Sequence, residues 1–278
     1  MIEIPLYQVD AFTDRVLWGN PAAVCPLEEW LPEPLMQAIA LENNLPETAF
    51  IVRNGEAYDL RWFTPTQEVD LCGHATLGAA QVVLTRLEPG RDQVTFHSAS
   101  GPLVVTRRGG DYELTFPALE FTGAVEPPAE LLAGLGPVAP VAVHRSMDWI
   151  AVYESEEQVR AIVPDQRALA ALDLRGVVVT APGAEADFCS RFFGPKLAIP
   201  EDPITGSAHC ALVPYWARRI GRTELRAHQF SPRLGRTRTI TVDCRLDGDR
   251  VGLRGAARPY LTGVIHLSDE DLDQSPEG

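Results

Sequence analysis

Apolar and polar residues alternate over many short segments of the chain, while a helical period appears in only a few places. Segments rich in β-branched and aromatic residues predict strands at Glu3–Phe12, Thr48–Val52, Tyr58–Phe63, Gln93–His97, Leu103–Arg107 and Tyr112–Phe116. A second series falls at Val141–His144, Trp149–Tyr153, Val177–Thr180, Asp187–Phe193, Arg238–Arg245 and Arg250–Arg254. Asp247-Gly248-Asp249 reads as a hairpin turn between the last two. Amphipathic helices are predicted over Pro34–Glu42 and Glu156–Leu172. Two further helices, His74–Thr85 and Ser207–Ile220, are apolar nearly all round, which places them inside the molecule.

Those two helices share a lead. Arg-Trp-Phe-Thr-Pro (61–65) precedes the first and Arg-Phe-Phe-Gly-Pro (191–195) the second, and each passes through an acidic loop to a glycine, Gly73 or Gly206. The pattern reads as one unit used twice. It predicts an α+β fold of two pseudo-symmetric lobes, each a curved, mostly antiparallel sheet wrapped around a central buried helix. The Pro/Gly-rich stretch 117–137 marks the boundary, giving an N-terminal lobe 1–118 and a C-terminal lobe 119–278 whose last strands can return to the first.

Composition narrows the chemistry. The 278 residues carry a formal net charge of −14, so nucleic acid and anionic membrane are excluded as partners by long-range repulsion. Cysteines 25, 72, 189, 210 and 244 form no C-x-x-C pair and are odd in number, which points to neither a zinc cluster nor a disulfide framework. Lys196, in a loop sequence, is the only lysine and so the only candidate for a Schiff base. The N-terminus lacks a signal-peptide pattern and no apolar run reaches the ~20 residues of a membrane span, so a cytoplasmic location is expected.

A helix N-terminus presents unpaired N–H groups and partial positive charge, and a glycine there lets an anion approach closely. The amides of Gly73–His74 and Gly206–Ser207 are therefore expected to cradle the carboxylate of a small acid, with His74 and Ser207 adding donors and Thr205 placed to cap the second helix. Cys72 and His74 form at most two of the ligands zinc needs, so no metal is expected. Two apart on a tight turn, they are not expected to face each other as nucleophile and base. Cys72 reads equally as a functional thiol and as buried filler. His209, one turn into a buried helix, reads as packed. Glu47 is the better candidate for moving a proton, if the sheet edge desolvates it; alone, its stretch reads as a solvated loop. Asp202, followed by Pro203, reads as well as a turn residue as a catalytic one.

Five segments in order resemble the signatures of the PhzF family: Gly19–Val24 (GNPAAV), Asn44–Phe50 (NLPETAF), Phe63–Ala80 (FTPTQEVDLCGHATLGAA), Glu201–Leu212 (EDPITGSAHCAL) and Gln229–Arg236 (QFSPRLGR). The resemblance implies a diaminopimelate epimerase-like fold, an active site between the lobes, no cofactor, and a homodimer. It implies Glu47 as general acid/base, with His74, Asp202 and Ser207 completing the catalytic set. The family's founding reaction moves a proton between ring carbons of a dihydro-hydroxyanthranilate. Two departures count: the second helix start offers Asp202-Pro203 where related epimerases carry a thiol, and Gln229–Arg236 lacks a glycine pair after its first arginine. The function expected is thus a cofactor-independent isomerase. The alternatives are an amino-acid racemase or epimerase using Cys72 and a non-catalytic carboxylate-binding protein.

Overall fold

Apolar residues at alternate positions form strands in nearly all the segments expected to be extended, and the two all-apolar stretches form helices. The computed structural model describes residues 2–197, 199–233 and 236–268. They divide into two units, one running to Thr115 and resuming at Arg254, the other Phe116–Leu253. Leu234 and Gly235 of the Gln229–Arg236 segment lie outside the described residues.

The first unit runs β1 (Ile2–Ala11), β2 (Asn20–Leu27), α1 (Glu33–Asn43), β3 (Glu47–Asn54), β4 (Ala57–Phe63), β5 (Glu68–Val69), α2 (Gly73–Val82), β6 (Gln93–Ser98), β7 (Gly101–Arg108) and β8 (Asp111–Pro117). A π-helical turn, Val83–Leu87, extends α2. The second runs α3 (Ala129–Leu135), β9 (Ala142–Arg145), β10 (Trp149–Val152), α4 (Glu156–Ala161), α5 (Gln166–Ala170), β11 (Val177–Pro182), β12 (Phe188–Gly194), β13 (Ile199–Asp202), α6 (Gly206–Ile220), β14 (Glu224–Arg233), β15 (Arg236–Asp247) and β16 (Arg250–Gly255). The final strand, β17 (Ala257–Leu267), returns to the first unit and pairs antiparallel with β1.

The two units repeat one connection pattern. β1 lies antiparallel to β2, β2 parallel to β3, β3 antiparallel to β4, and β4 parallel to β6. In the same order β9 lies antiparallel to β10, β10 parallel to β11, β11 antiparallel to β12, and β12 parallel to β14. A parallel pair needs a long crossover. The helices supply it: α1 and α2 in one unit, α4–α5 and α6 in the other. Among the described residues, β6–β7, β7–β8 and β14–β15 are antiparallel.

In the first unit α2 packs on β1, β2 and β3 and is buried from His74 to Val82. At Gly78 an added Cβ would stand 3.5 Å from the Val9 side chain and 3.8 Å from that of Val24, so the helix backbone rides close to the strands. The other face is covered by α1, whose Leu35, Met36, Ile39 and Ala40 cluster with Ile4, Cys25, Phe50 and Phe63. Strands covered on both faces lose their polar alternation. That is why β2, with two prolines and two alanines, gave no strand signal. In the second unit α6 is buried from Ala208 to Pro214, and a separate core of Leu131, Tyr153, Val159, Leu169, Phe193 and others packs around α3 to α5.

The helix expected over Glu156–Leu172 is two short helices. Pro164 lacks an N–H and disfavours helical geometry in Val163 before it. Ser155 opens α4 with a capping box, and Asp165 caps α5 by accepting from the amides of Arg167 and Ala168.

Candidate active site

The first unit builds one constellation at the start of α2. Helix α1 stops at Asn44, which takes a left-handed conformation (φ 48°, ψ 36°) that asparagine tolerates. Leu45 and Pro46 then deliver Glu47 as the first residue of β3, paired with Ala22 of β2. On the way to α2 the chain is pinned twice. Arg61 grips the Glu68 carboxylate through Nε (2.7 Å) and Nη2 (2.6 Å), and Thr64 closes a turn with Gln67. Cys72 then holds an extended conformation and α2 begins at Gly73. The Thr76 amide donates to the Cys72 carbonyl (3.2 Å), so the amides of Gly73 and His74 precede the first helical bond.

His74 stands between two groups. Its Nε2 lies 3.0 Å from Oε2 of Glu47, and its Nδ1 lies 3.5 Å from Sγ of Cys72. All three residues are buried, Glu47 at 8% exposure, His74 and Cys72 at 6% each. The Glu47–His74 contact is out of line for a hydrogen bond, so Glu47 Oε2 and His74 Nε2 are buried without one. Burial works against charging His74, but the adjacent Cys72 and Glu47 outweigh it and hold the imidazole well above its ordinary range. Burial, reinforced by Glu47, pushes the Cys72 thiol up to about 11.

The position of Cys72 corrects an expectation: on this turn the thiol does face the imidazole. The extended backbone of Cys72 followed by the first helical turn folds both side chains to one side. Ligand atoms of Glu47, Cys72 and His74 all lie within 4.8 Å, a donor set zinc could use. Glu47 and Cys72, however, approach opposite nitrogens of one ring, so the three donors do not converge on a point. The glutamate itself is buried in β3 rather than solvated in a loop.

The second unit builds a different start to α6. Arg191 holds Glu201 through Nε (2.7 Å) and Nη2 (3.0 Å), repeating the Arg61–Glu68 clamp. Asp202 Oδ2 accepts from the Thr205 hydroxyl (2.6 Å), while the fully buried Gln229 accepts from the Thr205 amide (3.0 Å) and donates to the Asp202 carbonyl (2.9 Å). Thr205 therefore holds the N-cap position without capping, because its hydroxyl is committed to Asp202. His209 donates to the Thr205 carbonyl through Nδ1 (2.9 Å), and burial pushes it down to about 4, as a packed imidazole. Ser207 accepts from Arg175 Nη2 (2.6 Å), and Arg175 in turn grips Asp148. Lys196 is exposed.

Glu47, Cys72, Gly73 and His74 thus form one group, and Asp202, Thr205, Gly206 and Ser207 another, each within its own unit. Sequence reasoning missed Arg175, Asp148 and the role of Gln229. Arg61 and Arg191 carried a signal as the repeated leads of the two helices; nothing around Arg175 or Asp148 did.

The sequence pattern of the phenazine biosynthesis-like protein family matches residues 9–263. Two proteins of Pseudomonas aeruginosa, each named an uncharacterised isomerase, are 46% and 48% identical to the chain, covering 96% of it and all of themselves. A crystal structure from Enterococcus faecalis, described as a phenazine biosynthesis protein of the PhzF family, superposes with a TM-score of 0.88 at 46% identity, over 96% of this chain and 100% of that one. The chain belongs to the phenazine biosynthesis-like family and, within it, with the isomerases.

Proposed function

We propose that the protein is a cofactor-independent isomerase in which Glu47 moves a proton between two carbons of a small cyclic or unsaturated carboxylic acid bound at the start of α2. One observation carries this: Glu47 Oε2 and His74 Nε2 are buried, 3.0 Å apart and without a hydrogen bond, beside the open amides of Gly73 and His74. Buried polar atoms are nearly always satisfied, so an unsatisfied pair at a helix start calls for a ligand.

The chemistry needs little else. Glu47 as carboxylate takes a proton from a carbon made acidic by an adjacent π system, and the C–H electron pair enters that system. The same carboxyl then returns the proton to a second carbon, so the substrate ends with its original atoms and charge. The His74 imidazole beside Glu47 offers its unpartnered Nε2 edge to negative charge that develops on the substrate. The amides of Gly206 and Ser207 at the start of α6 are suited to a carboxylate in the same way, and Asp202 acts there by fixing Thr205.

Glu47→Gln keeps shape and removes the base. It is expected to bind substrate and to abolish isomerisation, and with it deuterium uptake from D2O over many turnovers, read by NMR. Retained uptake in that variant removes Glu47 from the mechanism. Bound ligands that never exchange in the wild-type protein would favour a carboxylate-binding protein.

The 3.5 Å approach of Cys72 to His74 favours a second reading, a racemase or epimerase with Cys72 as base. A thiol held at about 11 is ionised to roughly one part in 10⁴ at neutral pH, which counts against it. Cys72→Ala should be inactive on that reading and active on the first.

A further inference from the structure

The repeat gives each residue of the first constellation a counterpart, and the comparison is informative. In the first unit Phe50 pairs with Arg61, and Glu47 stands three residues before Phe50. In the second, Val179 pairs with Arg191, and Gly176 stands three residues before Val179. A Cβ added at Gly176 would meet Phe192 ring atoms at 2.5 and 2.9 Å and Asp148 Oδ1 at 3.1 Å. No acid/base side chain fits where the second unit would need its own Glu47.

What stands there instead is a cation and its holder. Asp148 and Arg175 end the segments that lead into the parallel strands β10 and β11, tied by the Trp149 amide donating to the Gly176 carbonyl (3.0 Å). Asp148, at 3% exposure, accepts from Arg175 Nε and Nη2, both at 3.0 Å. That bidentate grip fixes the guanidinium plane. Nη2 also donates to Ser207 Oγ at 2.6 Å. A hydroxyl that accepts from arginine keeps its own hydrogen free to donate.

We infer that Asp148 and Arg175 are positioning residues that hold the Ser207 hydroxyl as a hydrogen-bond donor to the carboxylate group of the substrate. The inference rests on the proposed function, which places a carboxylate at the start of α6. It gives the second unit the task of holding an anion, with no acid/base side chain of its own at the place of Gly176.

The test uses benzoate as carboxylate probe and benzamide as uncharged control, titrated against the full-length protein with shifts of the Ser207 and His74 amides followed by NMR. Arg175→Met combined with Asp148→Asn removes the pair together, leaving no buried charge behind. That variant and Ser207→Ala are each expected to weaken the benzoate response of residue 207 about tenfold and the benzamide response hardly at all. The triple variant should bind no more weakly than Ser207→Ala, because the pair acts through that hydroxyl. Arg175→Lys, which keeps charge but not the fork, should recover only part of the loss. Wild-type benzoate affinity in the double variant overturns the inference, as do effects that add in the triple variant or a wild-type Ser207 amide that ignores benzoate. A His74 amide that ignores benzoate while Ser207 responds counts against the proposed function instead.

Discussion

Arg191 and Arg61 occupy the same place in the repeat, yet removing them should have very different consequences. The Arg191 side chain is 10% exposed and Glu201 9%, and besides that carboxylate the guanidinium donates to the carbonyls of Val159 (3.0 Å) and Ile162 (2.7 Å) at the end of α4. Arg191→Met leaves a buried carboxylate and two carbonyls without their donor. Breaking a buried pair from one side costs about 3–5 kcal/mol. At roughly 3 °C per kcal/mol for a unit of this size, melting should fall on the order of 10 °C. Arg61 is 29% exposed, with partners at 33% and 64%, so Arg61→Met should cost ~1 kcal/mol or less. Calorimetry gives the shift, and hydrogen exchange on peptides spanning β12–β13 and β4–β5 assigns it to a unit, since a two-unit chain need not melt in one step. Replacing Glu201 by Gln alongside Arg191→Met should recover much of the loss. Equal costs at the two arginines would refute the claim that burial, not the motif, sets the strength of the clamp.

Three further outcomes follow from the geometry. His74 is held above its ordinary range by Cys72 and Glu47 against the pull of burial, so these contacts add stability that is fully present below the unfolded histidine value of about 6.5 and fades as pH rises through the folded value; urea melts of wild type and His74→Asn should therefore converge as pH increases, and divergence would contradict a charged imidazole held by its two neighbours. Cys72→Ala should keep isomerase activity, and iodoacetamide should label Cys72 slowly at neutral pH because burial suppresses the thiolate; an inactive Cys72→Ala restores the thiol mechanism. Gly176→Ala should destabilise by about 1–3 kcal/mol, because its Cβ overlaps the buried Phe192 ring, and unchanged melting would show that the ring can yield.

Much of this molecule is legible before folding because local and tertiary signals agree. The all-apolar runs became α2 and α6, and the Arg-aromatic-Phe-x-Pro leads exposed the duplication. Strand β2 was hidden because both its faces are covered, and β14 and β17 because charged and polar residues interrupt their runs. The motifs singled out Glu47, Gly73 and His74, which the fold brings together at the start of α2, and Gly206 and Ser207, which it places at the start of α6, since glycine before a buried helix has a local cause. The face-to-face approach of Cys72 and His74 depends on dihedral angles that spacing does not reveal. The Asp148–Arg175–Ser207 chain joins residues 27 and 32 positions apart through strand pairing, a relation invisible to any local pattern.

A single-turnover reaction in D2O tests the account most directly, run on a panel of cyclic and unsaturated carboxylic acids beginning with the dihydro-hydroxyanthranilate type. One buried carboxyl that takes and returns the same hydrogen predicts that the product keeps a measurable fraction of the transferred protium. Complete deuteration at the new carbon in the first turnover would contradict a water-excluded shuttle, because the proton delivered would not be the one that Glu47 removed.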